Sequence, residues 1–571
     1  MTRRCGLPTV SQDALGNRTS LQYDSFGNLT TSIDANNQST TYGYAGTGST
    51  HRRIRQTDAL GRVTSYGFTT DGLLQTTTDS RGLVTTFNCD AFGNVASIVA
   101  SDGGISTLQY DTLNRLTTSV DALGRISTMA YDSADNRVGS TDPTGAASTF
   151  IFSTCLLQAV VDLLGNRTSY TYGRYANKLT QVNALNQVTS WEYDNQGFVT
   201  DSIDALGNRA SLIYNTARQK LADQDQLGNR TSYSYDNSGR PVSTMDARGN
   251  ISSTVYNARN DVIASIDPLG KRTSFSFDNV GRQTAVQTPL GFVSTTVYDN
   301  AGQVSATVAP LGNRTTMQYD LAGNTTTVID ANGKISTSVF QATSNRLQAS
   351  VDANGNRTSF SFDLAGEQTA IQDSRGNYTS FSYDLAGRMQ TQQNAVGNVT
   401  TWLYDPAGRN TTQIDAQGHI KTMTFDALAR LVTTQYADGT LLTLQYDALS
   451  RLTTMSDSGG TTTSVYSTRS ELVGQTQAGG FVLSMAYDPV GNRSLLIDPD
   501  GGRFTTTYDT LNRASVTQDP DSNRTTFLYD ADSRRTTLQD ASGARKARPQ
   551  FVDTMNIKKQ VRYGLSALLC Q

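Results

Sequence analysis

The chain has 571 residues, 36% of them hydrophobic and 17% charged, with a formal net charge of −3. That balance gives no bulk attraction to nucleic acid or anionic membrane, and no apolar run approaches the ~18–20 residues of a membrane-spanning helix. Twenty-six Tyr and nineteen Phe are spread evenly along the sequence, which excludes a wholly disordered polymer. There are only two His, His51 and His419, and three Glu, Glu192, Glu367 and Glu471. With Glu and Lys both scarce, long solvated helices are not expected. Cys5, Cys89, Cys155 and Cys570 lie far apart, without C-x-x-C spacing, and leave the redox compartment open. The opening Met-Thr-Arg-Arg is not followed by the apolar segment of a signal peptide.

Taken in chain order, residues 1–10 read as a short stub. The first repeat unit, DALGNRTSLQYDSFGNLTTS, runs from Asp13 to Ser32. Aromatics then recur every 21 residues, as at Tyr193, Tyr214, Tyr235, Tyr256, Phe277 and Tyr298. The comb continues through Tyr383 and Tyr446 to Tyr529, giving about 25 units over residues 11–540. Short slips interrupt it near residues 45–55, 160–170, 345–355 and 455–465. Residues 541–571 lose the pattern and form a basic tail with Arg545, Lys546, Arg548, Lys558, Lys559 and Arg562. A frayed end is the expected reading of that tail.

Each unit contains two Asp-x-x-Gly turns, such as Asp13–Gly16 and Asp24–Gly27. Asp bonds the backbone two residues on, and Gly takes a positive φ freely. Pro143, Pro268, Pro406, Pro489 and Pro499 follow the Asp directly, where a φ near −65° is wanted. Where Gly is missing, Asn114, Asp135, Asn260 and Asn512 stand in, residues that tolerate the left-handed conformation. Strands of about six residues fill the intervals. Thr19, Leu21 and Tyr23 share one face of the first, and Leu29, Thr31 and Ile33 are expected to share one face of the second. The unit is a hairpin, and the chain reads as all-β. A ribbon of some fifty antiparallel strands must curl, because open sheets rarely exceed ~10 strands. The expected result is a thin spiral wall stabilised by neighbours.

Tyr235-Asp-Asn-Ser-Gly-Arg240 and Tyr383-Asp-Leu-Ala-Gly-Arg388 resemble the YD repeats of RHS proteins, which also occur in insecticidal toxin complexes, wall-associated toxins and teneurins. The resemblance implies a β-strip closing into a hollow shell that often encloses a C-terminal toxin or effector. It further implies a secreted or cell-surface location. Such shells usually end in a core segment with a D-P-x-G self-cleavage element, and no such element follows Asp540. The expectation is therefore shell wall whose closing domains lie elsewhere, with unpaired edge strands free to self-associate.

No residue singles itself out as catalytic, cofactor-binding or metal-binding. The many Asp are accounted for by turns rather than by paired acid–base chemistry. Their spacing is not that of a calcium loop. Trp191 and Trp402 are expected to pack in the wall, with a sugar platform as the alternative. Cys89 takes a comb aromatic position and reads as a buried small hydrophobe. His51 reads as part of a solvated loop with Arg52, Arg53 and Arg55, and His419 as a turn residue without a partner for base catalysis. The Asn-x-Thr/Ser sequons at Asn17, Asn166, Asn229, Asn313 and Asn356 fall out of the turn-to-strand junction. A non-enzymatic shell is the leading function, a carbohydrate- or protein-binding adhesion module the alternative, and no cofactor is implied.

Overall fold

The computed structural model describes residues 7–46 and 51–547. They form one sheet of 52 strands, numbered β1 to β52 in chain order, each antiparallel to its chain neighbours. Among the described residues there is no helix, and so none long and apolar enough to cross a membrane. Cys5, Cys570, Arg548, Lys558, Lys559 and Arg562 lie outside the described residues.

The turns follow the chemistry of their residues. In the first, Gly16 donates its N–H to the Asp13 carbonyl at 3.0 Å and Asp13 donates to the Asn17 carbonyl at 3.0 Å. Asp13 Oδ1 accepts the N–H groups of Leu15 and Asn17, each at 2.9 Å. Gly16 has φ +87°, and the substitutes Asn114, Asp135, Asn260 and Asn512 have φ between +58° and +72°. The turn reading holds at all four.

The second strand of each unit departs from simple alternation. Between β2 (Arg18–Tyr23) and β3 (Leu29–Ile33), Gln22 pairs with Thr31 but Tyr23 pairs with Leu29. Thr30 is an extra residue, a β-bulge, so Leu29 lies on the Tyr23 face and Thr31 on the opposite one. The expected common face for Leu29, Thr31 and Ile33 is thereby corrected. The bulge recurs whenever an even-numbered strand pairs with the odd-numbered one after it, as at Gln109/Tyr110, Ser234/Tyr235 and Leu528/Tyr529. It is absent where an odd strand pairs with the next even one, as at Thr31–Thr41. The bulge residue is repeatedly Thr or Ser. Thr30, Thr117 and Thr536 each donate their hydroxyl to the strand carbonyl opposite, at 3.1–3.2 Å. One bulge per hairpin, always near the same end of the strands, bends the ribbon evenly in one direction.

The bend brings distant turns together. Asn36, in the turn after β3, donates its amide to Asp278 at 3.0 Å across 242 residues. Asp278 follows β26 (Arg272–Phe277), twenty-three strands further on. The same separation joins Arg62 to Gln303, Arg125 to Glu367 and Thr288 to Asp532. The ribbon is a spiral that returns on itself every twenty-three strands. At ~4.8 Å per strand one coil is about 110 Å around and about 35 Å across at the sheet midplane. The described chain makes a little more than two coils.

Among the described residues no large side chain is fully buried; the apolar side chains at 0% exposure are Ala159, Ala222, Ala264, Ala306 and Ala349. Each occupies the middle of an odd strand, as Ala306 does between Val297 and Thr316. This is a wall one sheet thick around a lumen, not a solid core.

Candidate functional site at the seam between coils

All turns after odd strands lie along one rim of the ribbon, here the upper, and all turns after even strands along the lower. The offset of twenty-three is odd, so the upper rim of the first coil meets the lower rim of the second. Two clefts lie on this seam. One, of about 530 Å³, is lined by Asp225, Asn229, Arg469, Glu471 and Val490. The other, about 400 Å³, is lined by Asp58, Arg62, Gln303 and Leu321.

The lower rim is organised by the comb tyrosine and the residue four after the turn Asp. Tyr131 donates its hydroxyl to the Leu116 carbonyl at 2.9 Å, and Tyr446 to Leu431 at 2.8 Å. Arg115 pairs with its own turn Asp111 at 2.7 Å and donates Nη1 to the Asp132 carbonyl of the next turn at 2.9 Å. Its guanidinium sits over the Tyr131 ring at 4.9 Å. Arg240, Arg388, Arg430 and Arg451 repeat the arrangement with Tyr256, Tyr404, Tyr446 and Tyr466. Each arginine thus ties its own turn to the following one. Neutral amides fill the same slot elsewhere: Asn136 donates to Asp132 at 2.9 Å.

Within the seam, six lower-rim slots hold no arginine: Asp261, Gln303, Asn324, Glu367, Glu471 and Asn492. At each of the six a guanidinium arrives from another position. Arg62 reaches Gln303 at 2.6 Å, Arg81 approaches Asp320 at 4.0 Å, and Arg125 reaches Glu367 at 2.5 Å, all from the upper rim. Arg259 and Arg469 come from within the same turns, onto the Asn279 carbonyl at 3.1 Å and the Pro489 carbonyl at 2.6 Å. Arg248 is the clearest case. From the first coil it donates to the Asp509 carbonyl at 3.1 Å and to Asn512 Oδ1 at 2.9 Å. Those acceptors lie 17 and 20 residues after Asn492, the offsets at which Arg115 meets Asp132 and Asp135. Each described seam step holds one guanidinium, whichever rim supplies it.

The carboxylates of Asp13, Asp111, Asp236 and Asp352 are held below the 3.8 of a free aspartate. The Asn17 amide is the main cause for Asp13, the Arg115 guanidinium for Asp111, the Arg240 guanidinium for Asp236 and the Asn356 amide for Asp352. A depressed folded pKa contributes stability above the unfolded value and loses it as pH falls through the folded one. The melting temperature is therefore expected to stay level down to about pH 4 and to drop steeply between about pH 4 and 2. Thermal melts across that range check it; a melting point that holds or rises on acidification refutes the assignment.

The other singled-out residues fall as follows. Trp191 and Trp402 are half-buried in the wall, and Lys178 Nζ lies 4.3 Å from the Trp191 ring centroid. Cys89 is half-buried rather than buried, and Cys155 is exposed. Arg52, Arg53 and Arg55 belong to a strand, Arg52–Thr57, not to a loop. Arg53 lies over Tyr42 and Tyr66 at 5.7 and 5.3 Å, and His51 stacks on Phe26 at 4.1 Å. His419 does have a partner. Its Nδ1 lies 2.9 Å from Asp415 Oδ2, the contact Asn makes at other turns, so the imidazole substitutes for an amide. Glu192 pairs with Arg209 at 2.6 Å on the wall surface. No group of three or more His, Cys, Asp or Glu placed to hold a metal ion occurs among the described residues. A spiral was expected, but sequence reasoning missed the side chains that join its coils, although Glu at a slot normally held by Arg or Asn was a visible signal.

The RHS Repeat family model matches residues 6–39, 68–105, 110–147, 256–293 and 298–335. No curated protein matches the chain. Among solved structures, the crystal structure of TcdB2-TccC3 matches with a TM-score of 0.66 at 14% identity, covering 95% of this chain and 39% of that one. The crystal structure of TcdB2-TccC3-TEV matches with a TM-score of 0.63, also at 14% identity, covering 92% of this chain and 37% of that one. At that identity the likeness is one of fold, and the chain spans less than two fifths of those longer ones.

Proposed function

Because this chain is an RHS/YD-repeat protein with the shell fold of its TcdB2-TccC3 neighbours, we propose that it forms the wall of a toxin-related container, enclosing a polypeptide cargo rather than acting on a substrate. The observation that carries this reading is the seam. A single sheet winding past itself, with one guanidinium bridging each step, makes a continuous wall around a space. With side chains of about 5 Å on each side, the lumen is about 25 Å wide and about 50 Å long. That holds a chain on the order of 180 residues at protein density. The cargo and the domains that close the ends are supplied by other sequence, and the location is outside the producing cell, as for a secreted toxin component.

The wall supplies no chemistry of its own in this reading, its carboxylates being committed to turns. Fusion of an unstructured reporter of about 10 kDa to the C-terminal residue tests the container. The reporter is expected to survive protease at concentrations that digest the free reporter completely. Digestion at the free rate refutes encapsulation, and hydrolysis of any glycan or peptide substrate by the pure protein refutes the purely structural role. A surface binding module is the second reading, supported by half-buried ring positions such as Trp191 and Trp402. Binding on a glycan array, lost on Trp→Ala change, would favour it.

A further inference from the structure

The seam is not bonded evenly. A hydrogen bond or ion pair crosses it at each of the first six upper-rim turns described, from Asp13–Arg259 at 3.4 Å to Arg125–Glu367 at 2.5 Å. Crossing resumes at Asp225–Arg469, at 3.2 Å. Between these two latches lie four turns, at Asp142, Asp162, Asn183 and Asp204. Their partners twenty-three strands on are the turns at Asp384, Asp405, Asp426 and Asp447. All eight turns are described, and no hydrogen bond or ion pair among the described residues joins the two sets. Arg409 acts on Asp162 through charge alone.

The cause is local. In this stretch every lower-rim slot holds its own arginine, and all four are used within the second coil. Arg388, Arg409, Arg430 and Arg451 each pair with their own turn Asp at 2.6–2.7 Å. Each also donates Nη1 to the carbonyl of the next turn at 2.9–3.1 Å. The upper rim brings apolar tips instead, Leu164, Leu185 and Leu206, at 36%, 38% and 48% exposure. Second turn residues meet across the seam, as the Ala35 carbonyl meets the Asn279 amide at 3.3 Å. In that register Ala184 faces Ala427 and Ala205 faces Ala448. Half-exposed leucines and facing alanines bury little apolar surface, so contact here is shallow.

We propose that this stretch is a lateral gate: the two rims part between the latches while the latches hold, and an extended polypeptide passes through the wall there. The gate covers the ten strands from Ile126–Tyr131 to Lys220–Gln224. At ~4.8 Å per strand that is about 48 Å of rim. Within each coil the backbone ladder is continuous. Sliding strands along their own axes would break its register, so the rims part by bending out of the sheet plane, one swinging off the other. Both rims belong to the described wall, so the gate does not depend on what adjoins either end of the spiral. Passage of a polypeptide rests on the container reading, whereas the parting of the rims does not.

Thiol labelling of the full chain tests the parting, in a background with Cys5, Cys89, Cys155 and Cys570 changed to Ser. A maleimide polymer of about 5 kDa is expected to label Ala184→Cys and Ala205→Cys about tenfold faster than Ala35→Cys and Ala122→Cys, which take the same turn position at bonded steps. Equal rates, or faster labelling at the bonded steps, overturn the gate. Ala184→Cys/Ala427→Cys is expected to oxidise to a disulfide, which needs Cα atoms within about 7 Å, and so to clamp the rims. Failure of both this pair and Ala205→Cys/Ala448→Cys to cross-link overturns the facing register and the gate with it. In the reporter fusion, residual digestion is expected to slow about threefold with the clamp oxidised and to recover on reduction. A slow digestion indifferent to the clamp overturns passage through this stretch. Digestion at the free rate overturns the container reading, and the labelling contrast then decides the gate by itself.

Discussion

Glu367→Arg is expected to open the seam around the turn between β34 (Arg357–Phe362) and β35 (Gln368–Gln372). Arg125 Nη1 lies 2.5 Å from Glu367 Oε1, with only 14% and 15% of the two side chains exposed. Arg125 also holds its own Asp121 at 2.5 Å, so the cluster has one guanidinium between two carboxylates. Reversal puts two guanidiniums in that space. Breaking a buried pair costs ~3–5 kcal/mol, and an exposed pair is worth under ~1. A loss of about 2–4 kcal/mol in local stability follows for this partly shielded site. The exchange Arg125→Glu/Glu367→Arg is expected to restore at least half of it. Because a long repeat array need not unfold in one step, amide hydrogen exchange in the two turns is the measurement. Single and double variants with equal protection would show that the contact does not hold the seam.

The second large effect is expected at Gly239. Its φ is +80°, and a Cβ added there would meet Gln219 Nε2 at 3.2 Å. Valine combines a forbidden backbone region with a branched side chain against that amide, costing about 2–3 kcal/mol. The hairpin of β22 (Arg230–Tyr235) and β23 (Pro241–Met245) should lose exchange protection accordingly. Asn237→Ala, at an exposed middle position of the same turn, should stay within about 0.5 kcal/mol. Equal losses in the two variants would refute the turn geometry.

Much of the fold was legible because it is local. Asp-x-x-Gly specifies its own turn through contacts four residues apart, and Asn or Asp in the Gly position marks the same φ, as Asn260 does. The bulge at Thr30 was not legible, because an extra residue is defined only against the partner strand and leaves the amino-acid alternation intact. It changed the face assignment of Leu29 all the same. The seam was hidden for another reason. Its partners are 242 residues apart, a distance set by the curvature accumulated over about a dozen hairpins rather than by any one of them. The rarity of glutamate was plain in the composition. That two of the three, Glu367 and Glu471, occupy seam slots emerged only once the spiral closed. His419 looked partnerless because its partner is the turn aspartate already assigned a backbone role.

The twenty-three-strand return makes the number of repeats a constrained quantity. In most tandem-repeat proteins a module touches only its neighbours, so units are gained and lost with little penalty. Here, deleting one 21-residue unit between residues 248 and 367 would slide every later turn by one position along the rim. Arg125 would then face Arg388, and Arg248 would face the slot of Arg513, setting like charges together at two points where complementary groups now meet. The length of the array is thereby written into side chains far from any site of insertion or loss.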